Sequence, residues 1–268
     1  MMSYSMKVLF GSMAFALAMV LAGSCVQPNT DQVAQTALTS LDKELNEIRP
    51  GILEGYLSPE KMPNSLLLLP PPPEEGSAAY AMDMEVAAKY VAMEDEARKE
   101  QAAIDANLHF PEATEAFNSV LDVKISEAYT PMVYMILRRT LADAGLSTYA
   151  AKDHYQRARP FMVNGSPTCA PEDEEYLRED GSYPSGHTAA GWAWALILTE
   201  LFPEQADVIL ERGKQYGISR NVCNVHWHSD VLAGRMMGAA AVARLHANEQ
   251  FMIDLNAAKA EISEIEIN

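Results

Sequence analysis

Pro184-Ser185-Gly186-His187, followed by Thr188-Ala-Ala-Gly-Trp-Ala-Trp-Ala-Leu-Ile-Leu-Thr-Glu-Leu-Phe202, sets the architecture of this chain. From Thr188 to Phe202 the run is apolar with one charge, Glu200, and is too long for an ordinary strand. A helix that is apolar nearly all round belongs at the centre of a core, so Trp192 and Trp194 are read as core residues. Outward from it the apolar period stays helical. Ser77 to Ala106 reads as one long helix capped by Ser77, Pro111 to Lys124 as a second, and Ser126 to Ala144 as a third stopped by Gly145. Ser147 to Gln156 is a short helix carrying Lys152, and Pro203 to Tyr216 is amphipathic and stopped by Gly217. His228 to Asn248 and Glu249 to Ile265 close the chain. Leu66 to Leu69 with Pro70 to Pro73 predicts an extended segment laid over the domain, the leucines packing inward. No strand pattern of any length competes. The expected fold class is all-α, a single-domain helical bundle.

Length and charge bound the rest. At 268 residues, 49% of them hydrophobic, the chain supports one sizeable core. Its formal charge of −17 argues against nucleic acid or an anionic membrane as partner. Residues 1–25 have the layout of a secretory signal: Lys7, an apolar run from Val8 to Leu21, then Ala22-Gly23-Ser24 before Cys25. Leu21 to Cys25 also fits a lipobox, so lipidation of Cys25 and simple cleavage near Ser24 both stay open. Residues 26–50 read as a polar arm and 51–268 as the folded domain, with no membrane span after the signal. Maturation leaves Cys169 and Cys223, an even pair that an exported protein is expected to bridge.

The chemistry lies in three segments: Lys152 with Arg159-Pro160, then Pro184-Ser185-Gly186-His187, then Ser219-Arg220 with His226 and Asp230. As spacing they read K-x6-R-P, 23 residues, P-S-G-H, 31 residues, S-R-x5-H-x3-D. Eleven specified residue types match by chance on the order of once in a billion. Three fixed cations can neutralise the equatorial oxygens of a phosphoryl group while one imidazole attacks phosphorus and another protonates the departing oxygen. Gly186 lets backbone approach an anion at the helix N-terminus, and the Ser185 hydroxyl can add a hydrogen bond. Lys152 supplies a point charge, whereas Arg159 and Arg220 can fork onto two oxygens each. Arg157 reads as a surface cation. His226 and Asp230, spaced i, i+4, would share a helical face, with Asp230 fixing the imidazole tautomer.

This pattern resembles the signature of the PAP2 superfamily, which joins bacterial class A non-specific acid phosphatases, lipid phosphate phosphatases and vanadium haloperoxidases. The segments Gly181 to Thr188, Val222 to Trp227 and Ala151 to Phe161 resemble the class A phosphatases in particular, and so does the Tyr56 to Pro73 region with its following helix. The likeness extends over roughly residues 50 to 250. His228 departs from it, standing where HWQSD would have Gln. The resemblance implies that His226 is the nucleophile, becoming phosphohistidine, and that His187 is the acid for the leaving oxygen and then the base for water. It implies an exported, periplasmic or lipid-anchored, homo-oligomeric acid phosphatase acting on small phosphomonoesters. An apyrase-like nucleotide phosphohydrolase and a vanadium-dependent haloperoxidase are the alternatives on the same site. No metal site and no cofactor are expected. His109, His154, His228 and His246 are assigned no chemistry.

Overall fold

The computed structural model describes Leu41 and residues 44–267. The signal segment, Cys25 and nearly all of the expected arm lie outside the described residues. A small antiparallel hairpin opens the fold, β1 (Glu47–Arg49) with β2 (Ile52–Leu53), turned at Gly51 with φ 76°. The helices follow as α1 (Ser65–Leu68), α2 (Ala78–Val91), α3 (Glu96–Ile104), α4 (Glu115–Asn118), α5 (Pro131–Leu146) and α6 (Tyr149–Tyr155). Then come α7 (Pro160–Asn164), α8 (Glu174–Glu179), α9 (Gly186–Leu201), α10 (Ala206–Val222), α11 (His228–Leu245) and α12 (Glu249–Ile267).

The all-α reading holds, with α9 at the centre packed on α10, α11 and α5. Trp194 is fully buried, donates its indole N–H to the Leu137 carbonyl at 2.9 Å, and meets Phe110, Phe117 and Tyr216 edge-on or at steep angles. Trp192 is only partly buried against this core. Backbones approach closely where glycine allows it: a Cβ on Gly234 of α11 would lie 2.5 Å from the Ser185 carbonyl oxygen at the start of α9.

Several boundaries differ from expectation, each for a local reason. The 77–106 helix is two helices, because Asp95 takes the extended conformation and caps α3 by accepting from Arg98 N at 3.0 Å. Within 111–124 only a 3-10 turn and α4 are helical; the chain then loops, held where Asn118 accepts from Ile125 N at 2.8 Å. Gly145 stands one residue before the end of α5, as a stop signal would, whereas Gly217 does not stop a helix but lies inside α10. At Gly217 a Cβ would meet Thr188 Cγ2 at 2.8 Å, so that glycine serves helix contact. The leucines before the proline run form α1 instead of an extended segment, and Leu67 is 82% exposed while only Leu69 is buried. The hairpin spans position 50 and packs β2 on α5, which brings residues 47–50 into the folded body.

Candidate active site

A cavity of about 700 Å³ collects Lys152, Arg159, Gly186, His187, Arg220 and His226 from α6, the α7 start, the α9 N-terminus, α10 and the loop before α11. Segments far apart in sequence thus converge. Ser185 is buried and acts as the α9 N-cap, its Oγ accepting from Thr188 N at 3.2 Å and bonding Thr188 Oγ1 at 2.9 Å. In both contacts Oγ accepts, so the cap does not use the Ser185 O–H as a donor; Gly186, but not Ser185, lines the cavity. The cap is tied to α11 by Ser185 N donating to the Asp230 carbonyl at 3.0 Å.

His226 and Asp230 meet, but not on a helical face. Trp227 is the N-cap of α11, so His226 precedes the helix and Asp230 occupies its third position. Asp230 Oδ2 reaches back to accept from Trp227 N at 2.8 Å, the carboxylate half of a capping box, and faces His226 Nδ1 at 3.4 Å. A guanidinium can only donate, so the 3.1 Å contact of Arg159 Nη1 with His226 Nε2 places the lone pair on Nε2 and the proton on Nδ1, toward Asp230. Ser182 Oγ also donates to Asp230 Oδ2. Arg157 is no surface cation: it binds Asp230 Oδ1 at 2.6 Å and Asp83 Oδ2 at 2.7 Å, clamping the carboxylate from behind.

His187 Nε2 bonds the Ala106 carbonyl at 3.0 Å, which leaves Nδ1 for proton transfer. Burial holds both imidazoles well below the usual histidine range, reinforced chiefly by Arg220 at His187 and by Arg159 and Lys152 at His226. Burial likewise lowers the Lys152 ammonium to about 8, with Arg159 adding to the effect, and the Arg220 guanidinium to about 10.

The cations are not equivalent. Arg159 gives Nε to the Leu177 and Asp180 carbonyls at 2.9 and 3.1 Å, and Nη1 to the Val225 carbonyl at 3.0 Å. Lys152 Nζ bonds the Gly181 carbonyl, and Asp180 Oδ2 bridges Lys152 and Arg159 at 2.8 Å each. Arg220 is 2% exposed, and its Nε and Nη1 have no partner among the described residues. A buried, unpaired guanidinium is costly unless an anion completes it.

The wall is fixed by a disulfide between Cys169 and Cys223, Cα to Cα 4.7 Å, which joins the loop before α8 to the end of α10 as the cysteine pair predicted. His109 also lines the cavity. His154 packs on Tyr155, His228 opens α11, and His246 bonds Glu200 at 2.9 Å. Sequence reasoning missed Asp180, Ser182, Asp83 and the engagement of Arg157. Ser182 is signalled only by flanking the P-S-G-H segment; Asp180 ends a run crowded with acids, and nothing in the pattern singles it out.

Comparison with known proteins places the chain in a family. Residues 129–251 match the model of a family described as the PAP2 superfamily. A non-specific acid phosphatase of Providencia stuartii is 43% identical over 211 residues, covering 78% of this chain and 85% of that protein. One from Salmonella typhimurium is 40% identical over 213 residues, covering 79% and 85%. An acid phosphatase of Zymomonas mobilis is 38% identical over 161 residues, covering 60% and 61%.

Proposed function

Because this chain belongs to the PAP2 superfamily and is an acid phosphatase like the relatives it matches, we propose that it hydrolyses small phosphomonoesters through a phosphohistidine on His226, without a metal ion. The observation that carries the reading is Arg220: a buried guanidinium with free donors, opening on the cavity that also holds the Nε2 lone pair of His226. A phosphoryl group seated there completes the Arg220 hydrogen bonds and meets further positive charge at Lys152 and Arg159 and the N-terminus of α9. Fixed cations then supply the charge stabilisation for which other phosphotransferases recruit a divalent ion.

His226 Nε2, released from its hydrogen bond with Arg159 Nη1, donates its lone pair to phosphorus, forming the N–P bond as the bond to the leaving oxygen breaks, and His187 gives that oxygen its proton. His187, now neutral, takes a proton from water, whose oxygen attacks phosphorus while the N–P bond breaks. Asp230, held by Ser182, Trp227 N and Arg157, keeps the Nδ1–H oriented throughout. The Cys169–Cys223 bridge supports export to an oxidising compartment, with cleavage near Ser24 or lipidation of Cys25 as the two routes to the mature chain. Assembly as a homo-oligomer is carried over from the sequence resemblance. The test is hydrolysis of p-nitrophenyl phosphate by the purified mature protein in excess EDTA, with vanadate as competitor. Turnover is expected to be undiminished and vanadate to inhibit competitively; activity lost to EDTA and restored by a divalent ion would overturn the proposal.

A further inference from the structure

Asp180 lines the cavity read above as the phosphoryl site and binds two of its cations. It follows α8, its backbone carbonyl is pinned by Arg159 Nε, and its carboxylate, 15% exposed, faces the cavity. A single oxygen, Oδ2, accepts from both Lys152 Nζ and Arg159 Nη2 at 2.8 Å. Arg159 Nε is held by protein carbonyls and Nη1 by the Val225 carbonyl and, until Nε2 turns to phosphorus, by His226, so Nη2, which bonds Asp180, is the group it can offer to an arriving substrate. Among the three inner cations Asp180 offsets one positive charge directly, while Arg49, Glu172 and Asp173 also line the cavity.

We infer that Asp180 is a built-in competitor of phosphate, a residue that sets how tightly the site holds substrate and product by sharing Lys152 and Arg159 with them. Its carboxylate and a phosphate oxygen want the same donors, and like charges a few Å apart in a site of reduced dielectric repel strongly. The consequence is weaker retention of the product. Inorganic phosphate, which three unshielded cations would bind tightly, is released and turnover continues. This rests on the reading of the cavity as the phosphoryl site.

The experiment measures the inhibition constant of inorganic phosphate, with KM and kcat for p-nitrophenyl phosphate, in the wild type, Asp180→Asn, Asp180→Ala and Arg220→Ala. Asparagine keeps a carbonyl oxygen for Lys152 and Arg159 while removing the charge, so the variant retains the local hydrogen bonds. The phosphate constant and KM are expected to fall together by about tenfold in Asp180→Asn, with no gain in kcat, and to fall in Asp180→Ala as well. A phosphate constant that is unchanged or raised in the folded variants overturns the inference and makes Asp180 a support for the two cations. Wild-type protein insensitive to phosphate, or Arg220→Ala no weaker for it than wild type, would instead sink the reading of the site itself.

Discussion

The tautomer that the proposed attack by His226 needs is set by two neighbours on opposite ring nitrogens. Arg159 donates to Nε2 and so excludes a proton there, while Asp230 faces Nδ1–H. Replacing Asp230 by Asn removes the carboxylate that stabilises a charged imidazole and leaves Arg157 with one acidic partner; kcat is expected to drop about a hundredfold or more, measured at saturating substrate with the melting temperature as control. The pH profile follows from the same environment. With its pKa held well below the usual histidine range, His226 stays neutral and able to attack on the acid side of neutrality. Lys152, lowered to about 8, loses its charge as pH rises through that value. The proton for the leaving oxygen is more available at low pH, on His187 once a bound dianion offsets Arg220, or on the substrate itself, whose second pKa is about 6. kcat/KM should therefore peak below pH 7 and decline through pH 8, and Lys152→Arg should move the alkaline decline upward; a rate still climbing at pH 9 contradicts this. At this scale the sequence made legible which residues share one cavity where a rare combination marks them, as at Lys152, Arg159, His187, Arg220 and His226. It was silent where one acid among many acquires a role through folding, as at Asp180 and Asp83.

Elements deliver these residues, and α9 does most of the placing. Its cap, Ser185, is locked to α11 through the Asp230 carbonyl and through the close approach at Gly234. Gly234→Ala should push α11 off the Ser185 carbonyl, costing about 1 to 3 kcal/mol of stability, and should lower kcat/KM by displacing the anion-binding turn; thermal melts and steady-state kinetics on the same preparation check both. The disulfide acts on the adjacent wall. Reduction of Cys169–Cys223 should cost about 2 to 4 kcal/mol, read as a lower melting temperature under reductant. Helix identity was readable from apolar period, and helix ends were not. Gly145 sits at the end of α5, but Gly217, the same residue type, is run through by α10 and serves close packing against Thr188. That distinction depends on a partner helix, which local sequence does not name. Asp95 is the converse case, a cap hidden within a run that keeps helical spacing.

As a whole the molecule sets a small cationic chamber inside a chain of net charge −17. The contrast is functional, since long-range attraction to nucleic acid is absent while at short range buried cations meet only what fits the cavity. The central claim is that this chamber transfers the phosphoryl group to His226, and trapping that group tests it most directly. Wild-type protein and the His226→Ala and His187→Ala variants are mixed with phosphorus-labelled p-nitrophenyl phosphate, quenched within milliseconds and worked up in alkali, which preserves phosphohistidine. Label is expected on His226 in the wild type. It should be absent in His226→Ala, and present and slow to hydrolyse in His187→Ala, because p-nitrophenolate leaves without an acid but water still needs a base. Label retained in His226→Ala, or located on His187 in the wild type, would contradict the account.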